Sequence, residues 1–156
     1  LSTPATVESG SFEREVAARA PGVSVIPVGC EGLAAAIETG DRARAARLAE
    51  EAAARGLREA PGNPAPTPLL AVLGCTHYPL AEAAFRASLP RRATLLNQPA
   101  ITAASLARYL ERRPSYEERA GPARGPRLRC LTSGDPAVVS SLASVFFGAP
   151  LDFEGA

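Results

Sequence analysis

Cys75 and His77 stand two residues apart in Leu73-Gly74-Cys75-Thr76-His77-Tyr78-Pro79, and His77 is the one histidine in 156 residues. A thiol becomes a base and a nucleophile once it ionises. Imidazole gains and loses a proton near neutral pH. At this spacing the two side chains can exchange a proton, or His77 can hold a substrate on which Cys75 acts. Thr76, between them, offers a hydroxyl and a backbone N–H to an anion. Thr3 and Thr6 form a second candidate pair. Free N–H groups at a helix start, with two hydroxyls, suit a carboxylate, although an ordinary helix cap uses the same residue types.

Other readings fit the same residues. Unpaired cysteine is among the most buried side chains, so Cys75 also reads as a small core residue after a glycine. The residues alone leave burial and catalysis level. Zinc needs four ligands in a structural site and usually three in a catalytic one. Cys75 and His77 supply two, and Cys30 and Cys130 have no ligand types near them in sequence, so no metal is expected. A cysteine hydrolase would draw its histidine from a distant segment rather than from two positions on. Cys30 and Cys130 read as small, partly buried thiols.

The elements around these residues are those of an α/β chain. Leu69 to Gly74 is a continuous apolar run of strand length, the pattern of a parallel strand buried on both faces. A helix is expected from Leu80 to Leu89. Cys75 therefore falls where a strand gives way to a helix. Ligands in open α/β sheets bind off the carboxyl ends of strands, and the positive end of a helix favours a thiolate. Upstream, Leu1 and Ser2 look like the end of a strand entering a helix capped by Thr3, with Pro4 in the first turn, running to about Ala20. Val23 to Val28 reads as a strand and Leu33 to Glu38 as a short helix. Asp41 caps a helix from Arg42 to Arg55, with Gly56 at its stop. Residues 61–68 are too rich in proline for helix or central strand. Downstream, the expected elements are a strand from Ala93 to Leu96, a helix from Ala100 to Arg113 and a polar connection from Pro114 to Pro126. A strand from Arg127 to Leu131 and a helix from Asp135 to Phe147 complete them. Alternation of this kind implies a mainly parallel sheet flanked by helices.

Composition excludes several function classes. Hydrophobic residues make up 46% and charged residues 21%, with a formal charge of +1, as in soluble globular proteins rather than disordered ones. All 17 basic residues are arginine and they are scattered, so no basic face for nucleic acid is expected. No apolar run approaches the roughly 20 residues of a membrane span, and no apolar leader opens the chain. Three widely spaced cysteines do not form a disulfide framework and fit a reducing cytoplasm. The chain starts at Leu1 and has no methionine, so a fragment, a trimmed chain or a misplaced start codon is expected.

Leu73-Gly74-Cys75-Thr76-His77-Tyr78-Pro79-Leu80 resembles the second cysteine motif of glutamate racemases, in the aspartate/glutamate racemase superfamily. Thr3-Pro4-Ala5-Thr6-Val7, with Ser9-Gly10, resembles the threonine-rich segment that precedes it in that family. Thr132-Ser133-Gly134-Asp135-Pro136 is similar to the family's C-terminal turn. The three matches occur in family order. The resemblance implies an incomplete two-domain architecture. Residues 1 to about 92 would be most of the middle α/β domain. Residues 93–156 would be the tail that completes an N-terminal domain whose first part is absent.

The reaction implied is cofactor-independent interconversion of L- and D-glutamate, with two cysteines on opposite faces of Cα, in bacterial peptidoglycan supply. In that scheme Cys75 is one acid/base and His77 assists its proton exchange. Thr76, His77, Thr3 and Thr6 bind substrate. The partner is a small molecule, not nucleic acid or membrane, and a homodimer is compatible with it. The family's Asp-Ser pair, Tyr-Gly loop and Cys-Asn-Thr motif are not in this sequence, so the chain is expected to be inactive alone. Glu31 follows Cys30 where the family has proline, and Asn97-Gln98-Pro99 stands where it often has Asp-Ser. A carboxylate- or partner-binding module derived from a racemase is the reading from a different class. Aspartate or hydantoin racemases are the near alternatives.

Overall fold

The computed structural model describes residues 1–60, 68–115 and 128–156. The Pro-rich loop expected at 61–68 lies outside them except for Pro68, as does the expected connection from Pro114 to Pro126 except for its first two residues. The described chain is α/β, with parallel strand pairs and flanking helices. It divides into two compact units, Leu1–Thr102 and Ala103–Ala156. Among the described residues no helix is long and apolar enough to cross a membrane.

In the first unit β1 (Leu69–Leu73) pairs in parallel with β2 (Ala93–Asn97), Leu69 opposite Ala93 and Leu73 opposite Asn97. The compact unit continues through β2 to Thr102. Backbone bonds extend the pairing on the other side of β1. The Leu1 nitrogen donates to the Val72 carbonyl (3.1 Å) and the Gly74 N–H to the Leu1 carbonyl (2.8 Å). Ser2 then bridges in parallel to Gly29, its N–H reaching the Val28 carbonyl at 3.0 Å and its carbonyl accepting from Cys30 at 2.8 Å. Four parallel segments thus present their carboxyl ends, at Cys30, Thr3, Gly74 and Asn97, to one edge.

Helix α4 (Arg42–Glu59) packs against both α3 (Leu33–Glu38) and α5 (Glu82–Ser88). Ala45, Ala49, Ala52 and Ala53 are buried on α4. These small residues let neighbours approach closely, so that Leu33, Leu73, Tyr78 and Phe85 are completely covered. Asp41 caps α4 as expected, its Oδ1 accepting from the Arg44 N–H at 2.9 Å.

Several local expectations are corrected. The strand expected over Val23–Val28 is absent, and pairing begins only at Val28, after Pro27, which has no N–H to give a ladder. The first helix is two, α1 (Pro4–Glu8) and α2 (Ser11–Arg19). They break at Gly10, whose φ of 59° is left-handed, a conformation glycine adopts freely. Helix α4 runs through Gly56 to Glu59 instead of stopping there. A Cβ at Gly56 would meet Val28 Cγ2 at 3.0 Å, so the glycine serves close packing. Strand β1 is not covered on both faces, since Leu70 is exposed.

In the second unit β3 (Cys130–Thr132) pairs in parallel with β4 (Phe153–Gly155), a strand the alternation pattern missed. Between them lies α7 (Pro136–Phe147), where Asp135 Oδ1 accepts from the Ala137 and Val138 N–H groups at 2.8 and 3.2 Å. Ser140 and Ser144 on α7 accept from the Phe153 and Leu151 N–H groups, each at 2.9 Å. None of this unit's described residues is buried. Helix α6 (Gln98–Glu111) follows β2.

Candidate active site

The carboxyl edge of the parallel segments carries the candidate residues. Cys75 and His77 sit in the turn between β1 and a 3-10 turn at Tyr78–Ala81 that leads into α5. Gly74 opens this turn because nothing larger fits. A Cβ there would lie 2.9 Å from two ring atoms of Phe12 and 3.2 Å from the Ser2 Cβ. The Phe12 ring of α2 therefore lies against the backbone next to Cys75.

Tyr78 anchors the other end of the turn. It is completely buried, its ring centroid lies 6.0 Å from that of Phe85, and its hydroxyl donates to the Cys30 carbonyl at 3.2 Å. Burial pushes the Tyr78 phenol far above its ordinary range. Burial also raises the Cys30 thiol, whose Sγ lies 3.8 Å from the Val28 carbonyl. Cys30 is thus a covered, protonated thiol that helps build the edge. Cys130 lies in β3, partly buried.

Cys75 Sγ lies 3.7 Å from His77 Nδ1. His77 Nε2 in turn lies 2.9 Å from Glu38 Oε1. An ionised carboxylate only accepts, so Glu38 holds the proton of a neutral His77 on Nε2. Nδ1 then presents its lone pair to the thiol. In this tautomer His77 can take the proton of Cys75, and Glu38 faces the imidazolium that results. The three groups form a chain thiol, imidazole, carboxylate. Glu38 is more than half exposed, so water screens its charge and its main effect is to orient the ring.

Sequence reasoning missed Glu38. It stands 39 positions before His77, at the last position of α3, and looks like any charged residue at a helix end. Only packing of α3 against the 3-10 turn joins them. Thr3 and Thr6 are together: Thr3 caps α1, its Oγ1 lying 2.9 Å from Thr6 Oγ1 and 3.4 Å from the Thr6 N–H. Both are half-buried, on the segment that runs beside β1. Thr76 is exposed.

No family model matches the chain. It is 43% identical over 156 residues to a glutamate racemase of Cereibacter sphaeroides and 44% identical to one of Paracoccus denitrificans, covering 100% of this chain and 54% of each. The chain thus spans about half the length of the curated relatives it matches. Its fold matches a glutamate racemase isoform from Bacillus anthracis with a TM-score of 0.76, at 21% identity, over 99% of this chain and 55% of that one. A glutamate racemase from Francisella tularensis, solved in complex with D-glutamate, matches with a TM-score of 0.73, at 20% identity and the same coverage. The chain is thus similar along its whole length to about half of these glutamate racemases, and it shares the fold of the two solved ones.

Proposed function

We propose that the chain is the later part of a glutamate racemase and supplies one face of a two-thiol active site. The observation that carries this reading is the Glu38–His77–Cys75 chain at the carboxyl edge of the parallel segments, in a sequence similar over its full length to glutamate racemases. His77 accepts the Cys75 proton, and the thiolate then removes the proton from Cα of glutamate. The electron pair left on Cα delocalises into the adjacent carboxylate. A second thiol on the opposite face returns a proton there and inverts the centre. One base alone would tend to return the proton to the face it left.

The second thiol would come from outside these 156 residues. Cys30 is covered, and its thiol lies against the Val28 carbonyl. Residues 1–92 would belong to a middle domain and 93–156 would complete an N-terminal one. Thr3, Thr6 and Thr76 would hold the substrate's carboxylates. No cofactor enters this scheme. The enzyme would work in the cytoplasm, provide D-glutamate for peptidoglycan, and is compatible with a homodimer.

The test is deuterium wash-in at Cα of L-glutamate in D2O, followed by proton NMR. Expected is exchange that Cys75→Ser abolishes, without net racemisation by this chain alone. Exchange that survives Cys75→Ser at the wild-type rate would overturn the proposal.

A further inference from the structure

The turn Gly74–Ala81 carries both Cys75 and His77, and Asn97 touches both of its ends. On one side Asn97 is the register partner of Leu73, the last residue of β1 before the turn. On the other its Nδ2 donates to Glu82 Oε2 at 2.5 Å. Glu82 is the first residue of α5, immediately after the turn. The hydrogen bond is charge-assisted and partly buried, the class that holds geometry most firmly. Arg86 meets the other oxygen of Glu82 at 3.6 Å. Asn97 Oδ1 is buried and meets no donor among the described residues. Among the described residues, Glu82 is thus the group that holds the amide in one orientation.

We infer that Asn97 is a positioning residue, a clamp across the mouth of the Gly74–Ala81 turn that sets the 3.7 Å approach of His77 to Cys75. Among the described residues its side chain bonds to Glu82 and not to Cys75 or His77. It acts by fixing the separation of the strand end and the helix start from which the turn hangs. The chemistry at position 97 is constrained accordingly. Aspartate has the same shape but would set a second carboxylate against Glu82, with no donor among the described residues facing its other oxygen. The inference gives a role in the proposed acid/base pair to a residue outside the cysteine motif, and it rests on that reading for its functional meaning.

The test is spectroscopic and uses the 156-residue chain, in which the His77 ring gives the sole histidine signal. Carbon-labelled histidine reports its Cε1–H resonance before and after Cys75 is alkylated with iodoacetamide. In the wild type, alkylation should displace this resonance. In Asn97→Asp the displacement should be lost. Adding Glu82→Gln should restore it, because glutamine then donates to the new carboxylate and the bond is remade with reversed polarity. Glu82→Gln alone keeps an acceptor for Asn97 and should behave as the wild type.

A folded Asn97→Asp with the wild-type displacement would overturn the clamp. So would a double variant that stays as disturbed as the single one, or that fails to fold when Glu82→Gln folds. If Asn97→Asp itself does not fold, recovery of both fold and displacement in the double variant is the supporting result. Deuterium wash-in on the wild type runs alongside. If it is absent the racemase reading fails, while the His77 displacement still decides the clamp.

Discussion

At the scale of single residues, two groups near the site are built to stay protonated. Burial raises the pKa of the Cys30 thiol above its ordinary 9.0 and that of the Tyr78 phenol above its ordinary 10.0. In the unfolded chain both would ionise near those ordinary values. The folded state thus holds more protons above pH 9, and stability falls as pH rises. Below pH 9 the contribution is fully present. Each group costs about 1.4 kcal/mol per pH unit while only its unfolded form is ionised. Urea denaturation midpoints at pH 7, 9 and 10.5 should therefore decline in order. Tyr78→Phe should flatten the decline above pH 10. At neutral pH it should lower stability by about 1 kcal/mol through loss of the bond to the Cys30 carbonyl.

At the scale of elements, the site depends on close approach between α2 and the end of β1. Gly74→Ala places a methyl inside contact distance of the Phe12 ring and Ser2. Overpacking of this kind costs about 1–3 kcal/mol. Phe12 is half-buried, so the strain has a removable partner. Melting temperatures of Gly74→Ala, Phe12→Ala and the double variant should show the double less destabilised than the sum of the singles. Strict additivity would mean the ring does not set the constraint. The break at Gly10 belongs to the same arrangement, because it lets α2 leave the line of α1 and carry Phe12 to Gly74.

At the scale of the whole molecule, burial is unevenly divided. The covered side chains of the described residues all lie between Ser2 and Leu95, within the first unit. Among its described residues the second unit, Ala103–Ala156, has none, and Val138, Val145 and Phe147 on α7 are exposed. Amide protection follows burial of apolar contacts and of backbone bonds. Hydrogen exchange read by mass spectrometry should therefore be slowest along Ala45–Ala53 of α4. Exchange over Pro136–Phe147 should be faster by orders of magnitude. Equal protection of the two helices would contradict this picture.

The strand–helix alternation, the cap at Asp41, the helix from Pro136 and the Cys75–His77 pair could all be read from sequence. Each rests on local chemistry: a short apolar run, a side chain that bonds a nearby N–H, or two groups two residues apart. The break at Gly10, the passage of α4 through Gly56, strand β4 and the lost strand at Val23–Val28 were not legible. Glycine stops a helix or allows close packing according to what lies beside it, and a strand of three residues needs a partner more than a pattern. The sequence determined that a thiol and an imidazole would sit together at a strand end. Only the tertiary structure decided how they are held. It brought Glu38 from α3 to His77, Phe12 to Gly74, and Asn97 across to Glu82. Those contacts span 39, 62 and 15 positions of chain, and no local preference encodes a separation of that kind.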